Sequence, residues 1–527
     1  MLPNRLKEEA LPKRFVDGLL ELTTNYATGS LTAEDSTVVR SPFFADDLGY
    51  VGNGTVSDVD EAFRLARAAQ RQWAETPLTD RVKVFERFHT IVFKRQDLLA
   101  DIVQLETGKD RAAAFDEVLD VLNNARYYAN NAERFLSPKR RAGAFPLITT
   151  TKEQRYPKGV VGQISPWNYP LALGISDAIA ALIAGNAVVA KPDSTTPFSN
   201  IIAKKLLINA GLPRDLFQIV TGSGTVVGGA IAQQCDYLMF TGSTATGKIL
   251  GRTVGERLVG YSAELGGKNA MIVAPDADIA KHADTIATAC FSNSGQLCVS
   301  IERIYVHESV YETFLRALQK ATESITLGKG LNWDYSMGSL IHQEQLERVQ
   351  DFVDDAVSKG ANIVTGGKAR PDVGPFHFAP TILTDVPEDA KLRDQEVFGP
   401  VVYVQKVRDL DEAVDLANSL NYGLNASVFA APSTAWKLAE RIESGSVTIN
   451  DGYASTWASV STPLGGVKES GMARRHGPEG ITKYTEVKNI SAQRIMPMRG
   501  PGFLPRKYYG QLLTTALDLG RKLRFLP

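Results

Sequence analysis

Short apolar runs alternate with longer segments of helical pattern through the middle of the chain, and this alternation constrains the fold more than any other feature. The runs VVGQIS, NAVVAK, LFQIV and YLMF each precede a helical segment. Buried strands separated by helices are typical of parallel βαβ units. A second series follows Gly267, with KNAMIVAP, RIYVHES, ANIVTGG and VVYVQKV as its runs. The sequence therefore predicts an α/β protein with two α/β domains in tandem, divided near residues 264–268.

Three segments differ from this alternation. From Thr55 to Leu136 the pattern is helical, and residues 147–156 contain consecutive β-branched threonines that favour an extended conformation. From Pro505 onward, five Lys or Arg residues accompany apolar side chains at three- and four-residue steps, which predicts a helix with one apolar stripe. Such a helix would dock on its own protein or on a sister subunit, and weak association with a membrane surface is the alternative.

Composition and charge exclude several classes of protein. The 58 Lys and Arg residues balance 59 Asp and Glu residues, so the overall charge favours neither nucleic acid nor an acidic membrane as a partner. No stretch reaches the roughly 20 uncharged apolar residues of a membrane span, and the first residues lack the apolar run of a secretory signal. Three cysteines cannot form a disulfide framework. We therefore expect a cytoplasmic protein.

Cys298 is the cysteine best placed for chemistry. It follows a Gly-Gln turn in FSNSGQLCVS, where backbone N–H groups can stabilise a thiolate. The ordinary alternative is a small buried hydrophobic residue, which is the prediction for Cys235 and Cys290 because both lie in helix-like runs. The six histidines show no metal-ligand spacing to each other or to a cysteine, so no metal is expected.

Two glycine-containing turns are candidates for holding a phosphate. In YLMFTGSTATGKIL, a strand is followed by Gly242, Ser243 and a helix start, where backbone N–H groups and the helix dipole favour an anion. The neighbouring TGSGTVVGG does not have the common G-x-G-x-x-G spacing. Each turn fits an ordinary strand-to-helix connection at least as well, so these residues alone leave the choice open.

Six motifs occur in order along the chain: SPWNYP (165–170), KPDS (191–194), FTGSTATG (240–247), ELGGK (264–268), NSGQLC (293–298) and EVFGP (396–400). Together they closely resemble the NAD(P)-dependent aldehyde dehydrogenase superfamily, over roughly residues 58–489. With the stretch GGVKESG…RRHG…GITKYTE and the long tail, the chain is most similar to the bacterial succinate-semialdehyde dehydrogenase branch.

The resemblance implies a catalytic set. Cys298 matches the nucleophile, which adds to the aldehyde carbon. Asn168 matches the side-chain donor that holds the oxyanion together with the Cys298 backbone N–H. Glu264 matches the base that activates water to hydrolyse the thioester left after hydride transfer. The expected product is a free carboxylic acid, because CoA-acylating relatives typically lack this glutamate.

The resemblance also implies a cofactor site, formed by Trp167, Asn168, Lys191, Pro192, Asp193, Ser194, Gly242, Ser243, Leu265, Glu396 and Phe398. Many NAD-preferring relatives carry a glutamate at the position of Ser194, where it binds both ribose hydroxyls. A serine removes the repulsion against a 2′-phosphate, so NADP is the expected preference, with NAD also accepted. The neighbouring carboxylate of Asp193 works against that phosphate.

The resemblance points to succinic semialdehyde, oxidised to succinate, as the substrate. Well-known members with that activity bind the substrate carboxylate with two arginines, at positions occupied here by Ser176 and Ser292. A serine does not replace a bidentate arginine. A neutral aliphatic or aromatic aldehyde is therefore the alternative, with Tyr169, Trp457 and Ser459 near the pocket mouth. A non-catalytic protein on the same fold is a remote alternative.

The family fold implies how the chain divides. We expect a Rossmann-like cofactor domain from residues 1–146 and 157–266, a catalytic α/β domain from 267–470, a small β oligomerisation flap from 147–156 and 471–495, and a C-terminal extension over 496–527. Strands at the edge of such a flap pair across subunits, so a homodimer or homotetramer is expected.

Overall fold

The computed structural model describes residues 13–28, 35–143, 149–493 and 497–523. Its helices are α1 (Lys13–Tyr26), α2 (Val56–Glu75), α3 (Leu78–Lys94), α4 (Gln96–Thr107), α5 (Arg111–Leu136), α6 (Pro170–Ile183), α7 (Phe198–Asn209), α8 (Gly229–Gln234), α9 (Thr244–Glu256), α10 (Ile279–Phe291), α11 (Tyr311–Glu323), α12 (Gln343–Ser358), α13 (Leu410–Asn418), α14 (Pro432–Ala439), α15 (Ala454–Ala458), α16 (Gly477–Thr482) and α17 (Arg506–Leu523).

The strands are β1 (Ser36–Arg40), β2 (Asp47–Gly52), β3 (Lys139–Arg141), β4 (Thr149–Pro157), β5 (Val160–Ile164), β6 (Ala187–Lys191), β7 (Phe217–Ile219), β8 (Tyr237–Thr241), β9 (Gly260–Glu264), β10 (Asn269–Val273), β11 (Ile301–His307), β12 (Asn362–Thr365), β13 (Thr381–Thr384), β14 (Val401–Val407), β15 (Tyr422–Gly423), β16 (Asn425–Phe429), β17 (Ser446–Ile449), β18 (Val467–Lys468), β19 (Gly471–Met472) and β20 (Thr485–Gln493).

The first α/β series forms a sheet with the strand order β19-β9-β8-β5-β6-β7. Strands β5 to β9 are parallel, with one helix following each of β5, β6, β7 and β8 in the chain, and β19 joins antiparallel to β9. Every residue of β6 and β8 is buried, because helices cover both faces of a parallel sheet. Ligands of open α/β sheets bind beyond the carboxyl ends of such strands.

The second series forms a sheet with the order β12-β13-β14-β11-β10-β16-β17, in which only β12 is antiparallel among the described strands. Alternate residues of β10 enter different cores: Ala270 and Ile272 pack on one face, and Met271 and Val273 on the other. This alternation follows from the two-residue period of a strand. The predicted tandem of two α/β units is therefore present.

The three-stranded sheet β20-β4-β3 contains the predicted extended segment, with β4 between two antiparallel partners. The strands of this sheet differ in part from those that the sequence predicts. The predicted limits place β3 in the cofactor domain, but β3 pairs with β4. They place β19 in the flap, but β19 pairs with β9. Residues 144–148 and 494–496 of the predicted segments lie outside the described residues, and the domain limits stay predictions.

Helix α17 confirms the predicted helical tail. Its apolar side chains at Leu512, Leu517 and Leu519 are exposed, whereas Tyr509 is buried. Most of the apolar stripe is thus not covered by the described residues of its own chain. Across those same residues, we find no helix that is both long and apolar enough to cross a membrane.

Candidate active site

The loop between α10 and β11 carries Cys298 and has an unusual backbone. Asn293, Ser294 and Gly295 have φ angles of 50°, 54° and 70°. This is a left-handed backbone conformation that residues other than glycine rarely adopt. At Gly295 a Cβ would collide with the backbone of Gly399, so no larger residue fits there. The surrounding structure holds this strained turn and thereby fixes where the following cysteine lies.

Cys298 itself is partly exposed at the end of this loop. Nδ2 of Asn269 donates to the Cys298 carbonyl oxygen at 2.7 Å, which fixes the backbone of the cysteine. Burial raises the pKa of the Cys298 thiol to about 12, and the carboxyl groups of Glu396 and Glu264 add to that rise. The thiol therefore requires a nearby base to become a nucleophile.

The other two cysteines, Cys235 and Cys290, are almost fully buried. Burial raises the pKa of the Cys235 thiol to about 11 and also raises the pKa of Cys290. Both match the prediction of small buried hydrophobic residues.

Asn168 lies directly before α6 and is buried beside the cysteine loop. Its Nδ2 donates to the carbonyl oxygen of Gln296 at 3.0 Å, two residues before Cys298. Nζ of Lys109 donates to the Asn168 carbonyl oxygen at 2.7 Å. Because an amide nitrogen carries two N–H groups, one remains available for an oxyanion.

The ion pair behind Asn168 is fully buried. Nζ of Lys109 lies 2.6 Å from Oε1 of Glu117, and Oε2 of Glu117 accepts from the backbone nitrogens of Leu171 and Ala172 at the start of α6. A carboxylate at a helix N-terminus satisfies N–H groups that have no partner inside the helix. The sequence motifs gave no sign of this support.

Glu264 is the last residue of β9, and its backbone is hydrogen-bonded to the turn that contains Gly242. Its carbonyl oxygen accepts from the Gly242 nitrogen at 3.0 Å, and Oε1 has no hydrogen-bond partner among the described residues. Burial raises the pKa of the Glu264 carboxyl to about 7, while Arg475 and Lys483 oppose the rise. A base with a pKa near neutrality suits proton transfer at physiological pH.

On the other side of the cysteine loop, Oε1 of Glu396 accepts from the Gly267 nitrogen at 2.9 Å. Burial and the neighbouring Glu302 raise the pKa of Glu396 to about 8. The rings of Phe398 and Trp167 meet edge-to-face at 5.4 Å.

Lys268 has a structural part in this arrangement. Its Nζ lies 2.6 Å from Oε2 of Glu302, whose carboxylate also accepts from the nitrogens of Val397 and Phe398. Lys268 thus stabilises the segment that presents Glu396 and Phe398.

The predicted phosphate turn forms the N-terminus of α9. Ser243 is its N-cap, with Oγ accepting from the Thr246 nitrogen at 3.3 Å, and Gly242 precedes it at the end of β8. Leu265 packs against Gly247, which leaves no room for a Cβ there. The free N–H groups and positive dipole end of this helix fit the pyrophosphate of a dinucleotide.

The KPDS segment follows β6 at the same edge of the sheet. Lys191 and Pro192 are buried, and burial lowers the pKa of Lys191. Ser194 is partly buried, and its Oγ donates to the Gly222 carbonyl oxygen at 3.0 Å. Oδ1 of Asp193 accepts from the Thr195 nitrogen at 2.9 Å, so a local turn holds this carboxylate. A cation and a hydroxyl at this position fit an adenosine ribose and its 2′-phosphate.

A cavity of about 120 Å³ lies beside Tyr169 and Leu297, next to the cysteine. Its other lining residues include two carboxyl groups and two aromatic rings, those of Asp116, Asp120, Tyr453 and Trp457. Loss of hydration raises the pKa of both carboxyls to about 6, although only Asp120 is buried and Asp116 is exposed. In the described structure no Lys or Arg lines this cavity.

The three serines predicted to bind substrate lie in different places. Ser176 is buried and donates to Oδ2 of Asp120 at 2.5 Å. Ser292 lines a separate hollow beside α10 and is within hydrogen-bonding reach of Tyr453, which lines the cavity. Ser459 is exposed, with its hydroxyl 2.6 Å from the Ser455 carbonyl oxygen. Tyr169 is thus the predicted substrate residue that does line the cavity.

A buried charged cluster lies next to Glu264, and the sequence motifs contain Arg475 and Lys483 but do not show that they meet. Nη2 of Arg475 lies 3.0 Å from Oδ2 of Asp177, and Nζ of Lys483 lies 3.3 Å from Oδ1 of the same carboxylate. The one sequence signal was Asp177 itself, a charged residue inside an apolar helix. Its partners come from a distant part of the chain and could not be assigned from spacing.

The fold and the site together define an α/β protein with a partly exposed cysteine, a strand-to-helix turn that fits a dinucleotide, the buried Glu264 and the partly buried Glu396. The family model for the aldehyde dehydrogenase family matches residues 31–490, and the chain belongs to this family. The predicted family and α/β fold are thereby confirmed.

The similar proteins carry more specific names. The chain is 48% identical over 503 residues to the putative succinate-semialdehyde dehydrogenase (NADP+) 2 of Mycobacterium tuberculosis, covering 95% of this chain and 96% of that protein. It is 46% identical over 498 residues to a putative succinate-semialdehyde dehydrogenase (NADP+) of Mycolicibacterium smegmatis, covering 94% and 96%. A crystal structure of an NADP dependent enzyme from E. coli superposes with a TM-score of 0.83 at 33% identity, covering 87% of this chain and 95% of that one.

Proposed function

We propose that this chain oxidises succinic semialdehyde to succinate with NADP as the hydride acceptor. The observation that carries the reaction is that three separate segments bring Cys298, Asn168 and Glu264 near one another. Asn168 donates to the carbonyl oxygen of Gln296 in the cysteine loop, and the Glu264 carboxyl is close enough to raise the pKa of the Cys298 thiol. The names of the mycobacterial relatives support the substrate and the cofactor.

The first step is activation of the Cys298 thiol. With a thiol pKa of about 12 and a Glu264 pKa of about 7, the proton moves towards the carboxylate only as the sulfur attacks. The Sγ–carbon bond forms as the carbonyl electron pair moves to oxygen. The Asn168 amide and the Cys298 backbone N–H stabilise that oxyanion. The bound dinucleotide supplies the hydride acceptor, and a thioester on Cys298 remains.

Glu264 then completes the reaction. Once it has released the thiol proton to solvent, its carboxylate takes a proton from water, the water oxygen bonds to the acyl carbon, and the carbon–sulfur bond breaks to return the Cys298 thiolate. The raised pKa places Glu264 in the range where it can both accept and release a proton near pH 7.

The proposed cofactor site combines the N-terminus of α9 with Lys191, Ser194 and Glu396. Ser194 offers a hydroxyl where a carboxylate would repel a 2′-phosphate, which supports NADP over NAD. Asp193 is held by the Thr195 nitrogen, so its charge is partly satisfied before the cofactor binds.

A neutral aliphatic or aromatic aldehyde is the second candidate substrate, and the cavity favours it. The described lining of the cavity contains Asp116, Asp120 and the ring of Trp457 but no cation, which is unfavourable for the carboxylate of succinic semialdehyde.

The deciding experiment measures kcat/KM for succinic semialdehyde, benzaldehyde and a medium-chain aldehyde with NADP. A value at least tenfold higher for succinic semialdehyde supports the first candidate, and the reverse order supports the second. No turnover with any aldehyde contradicts both. The matched control is Cys290→Ala, which removes a buried thiol outside the site.

We further propose a homodimer or homotetramer in the cytoplasm. Strand β20 is an edge strand of the flap and exposes Val487 and Ile490, which supports pairing with another subunit. The three cysteines are free thiols, as suits a reducing compartment. Light scattering coupled to size-exclusion chromatography gives the subunit number, and a monomer at micromolar concentration contradicts the assembly.

A further inference from the structure

The cluster of Asp177, Arg475 and Lys483 lies deep in the protein, and its three side chains are at most 7% exposed. Removing three charges from water is costly, and a buried ion pair is weak evidence for stability alone. The cluster contains two cations and one anion, and the buried carboxyl of Asp120 also faces Arg475. One further neighbouring carboxylate has an oxygen without a partner among the described residues.

That neighbour is Glu264, and backbone pairing brings the two together. Gly471 of β19 pairs with Glu264, and the chain then turns so that Arg475 pairs with Leu464 through two backbone hydrogen bonds of 2.8 Å. Gly465, next to Leu464, packs on the Glu264 carboxylate: a Cβ there would lie 2.7 Å from Oε1. The segment that carries Arg475 thus wraps around Glu264.

Both groups keep unused hydrogen-bonding capacity. Oε1 of Glu264 and Nε of Arg475 are buried, and neither has a partner within the part of the chain that the structure describes. They form no direct ion pair, so Arg475 acts on Glu264 through space. The other charged groups that face Glu264 are Lys483, Arg474 and Asp177.

We propose that Arg475, anchored by Asp177, is a positioning residue that keeps Glu264 in its carboxylate form, and that Asp177 limits this effect by partly neutralising Arg475. Arg475 touches neither the substrate nor the reacting atoms. The inference rests on the proposed function, in which the Glu264 carboxylate takes a proton from the water that cleaves the Cys298 thioester.

Arg475 and Asp177 shift the pKa of Glu264 in opposite directions. Arg475 lowers the pKa of Glu264 and Asp177 raises it. Replacing Arg475 with a neutral residue must therefore raise the pKa of the base, and replacing Asp177 must lower it. Loss of a merely structural ion pair would disturb both variants in the same direction.

The test measures steady-state hydrolysis of p-nitrophenyl acetate without cofactor, as a function of pH. This activated ester acylates a reactive thiol directly, and its turnover requires Glu264 to cleave the resulting thioester. We expect the acidic inflection of Arg475→Gln to rise by about one pH unit, with about fivefold slower hydrolysis at pH 7. Asp177→Asn is expected to move the inflection down, and Arg475→Lys to restore it to within a few tenths of a unit.

Arg474→Gln is the matched control, because it removes the adjacent cation whose effect on Glu264 is weaker than those of Arg475 and Lys483. Thermal unfolding identifies variants that do not fold. If Arg475→Gln does not fold, Lys483→Gln takes its place, with an upward shift expected. Shifts of both charge variants in one direction, or no shift in either, overturn the proposal.

The same assay separates this inference from the proposed function. The assay uses no aldehyde, so its result does not depend on whether the proposed aldehyde substrate is correct. Ester hydrolysis that persists in Cys298→Ala would contradict the proposed catalytic cysteine, whatever the pH profiles of the charge variants.

Discussion

Replacing Ser194 by glutamate should reverse the cofactor preference. Ser194 lies at the carboxyl end of β6, partly buried, with its hydroxyl 3.0 Å from the Gly222 carbonyl oxygen. The longer side chain places a carboxylate where a 2′-phosphate is proposed to bind. Asp193 already supplies one negative charge nearby, and Lys191 supplies a buried cation.

The size of the effect follows from the partial burial of the site. Two unit charges at contact distance repel by about 1 kcal/mol in bulk water and about 4 kcal/mol near a protein surface. For a partly buried position that is open to solvent we take about 2 kcal/mol, which corresponds to about a 30-fold loss in kcat/KM for NADP. NAD lacks the 2′-phosphate and escapes this repulsion, and the glutamate can accept from its ribose hydroxyls.

The assay is kcat/KM for NADP and NAD at one aldehyde concentration, with dissociation constants from quenching of tryptophan fluorescence. Ser194→Ala is the matched control, because it removes the hydroxyl without adding charge and should cost NADP only about fivefold, or about 1 kcal/mol. The penalty of Ser194→Glu should shrink at high salt. An NADP-to-NAD ratio within threefold of the wild type would refute the placement of the 2′-phosphate at Ser194.

Three further variants test the remaining parts of the site. Cys298→Ala should abolish turnover while NADP still quenches tryptophan fluorescence; residual dehydrogenase activity would contradict the nucleophile. Glu264→Gln should slow turnover by about 10²- to 10⁴-fold and remove the rise in rate through about pH 7, because only the ionised carboxylate is a base. Lys109→Met should lower the free energy of unfolding by about 3–5 kcal/mol, since it leaves the Glu117 carboxylate buried without its cation. Adding Glu117→Gln should recover part of that loss in chemical denaturation, and simple additivity would argue against the pair.

The fold was predictable because its strongest signals are local. Strands β5, β6, β7 and β8 are short runs of almost entirely buried residues, and each is followed by a helix, so the sequence displays the βαβ order directly. The pairing partners of the shortest strands were harder to predict. β3 consists of three exposed residues, and β19 is only two residues long, so neither carries a hydrophobic pattern that would indicate its partner.

The reacting residues were predictable only through contiguous motifs. Cys298 and Glu264 lie within short, recognisable strings, whereas the contacts of the charged groups near Glu264 have no signal in the sequence. Arg475 and Asp177 are 298 residues apart, and their contact exists only once the segment after β19 lies against α6. The left-handed backbone at Asn293 and Ser294 was equally hidden, since the surrounding structure rather than the residue type imposes it.

The acidic cavity gives a way to separate the two substrate classes on a single enzyme. Asp116 and Asp120 have pKa values of about 6, so they are ionised above that pH and become neutral below it. The carboxylate of succinic semialdehyde meets less repulsion as the pH falls, whereas benzaldehyde carries no charge. We therefore expect the ratio of kcat/KM for succinic semialdehyde to that for benzaldehyde to increase as the pH decreases from 8 to 5.5. The requirement for ionised Glu264 affects both substrates and cancels in the ratio. Asp116→Asn should flatten the dependence, and a flat ratio in the wild type would mean that the substrate carboxylate does not approach these aspartates.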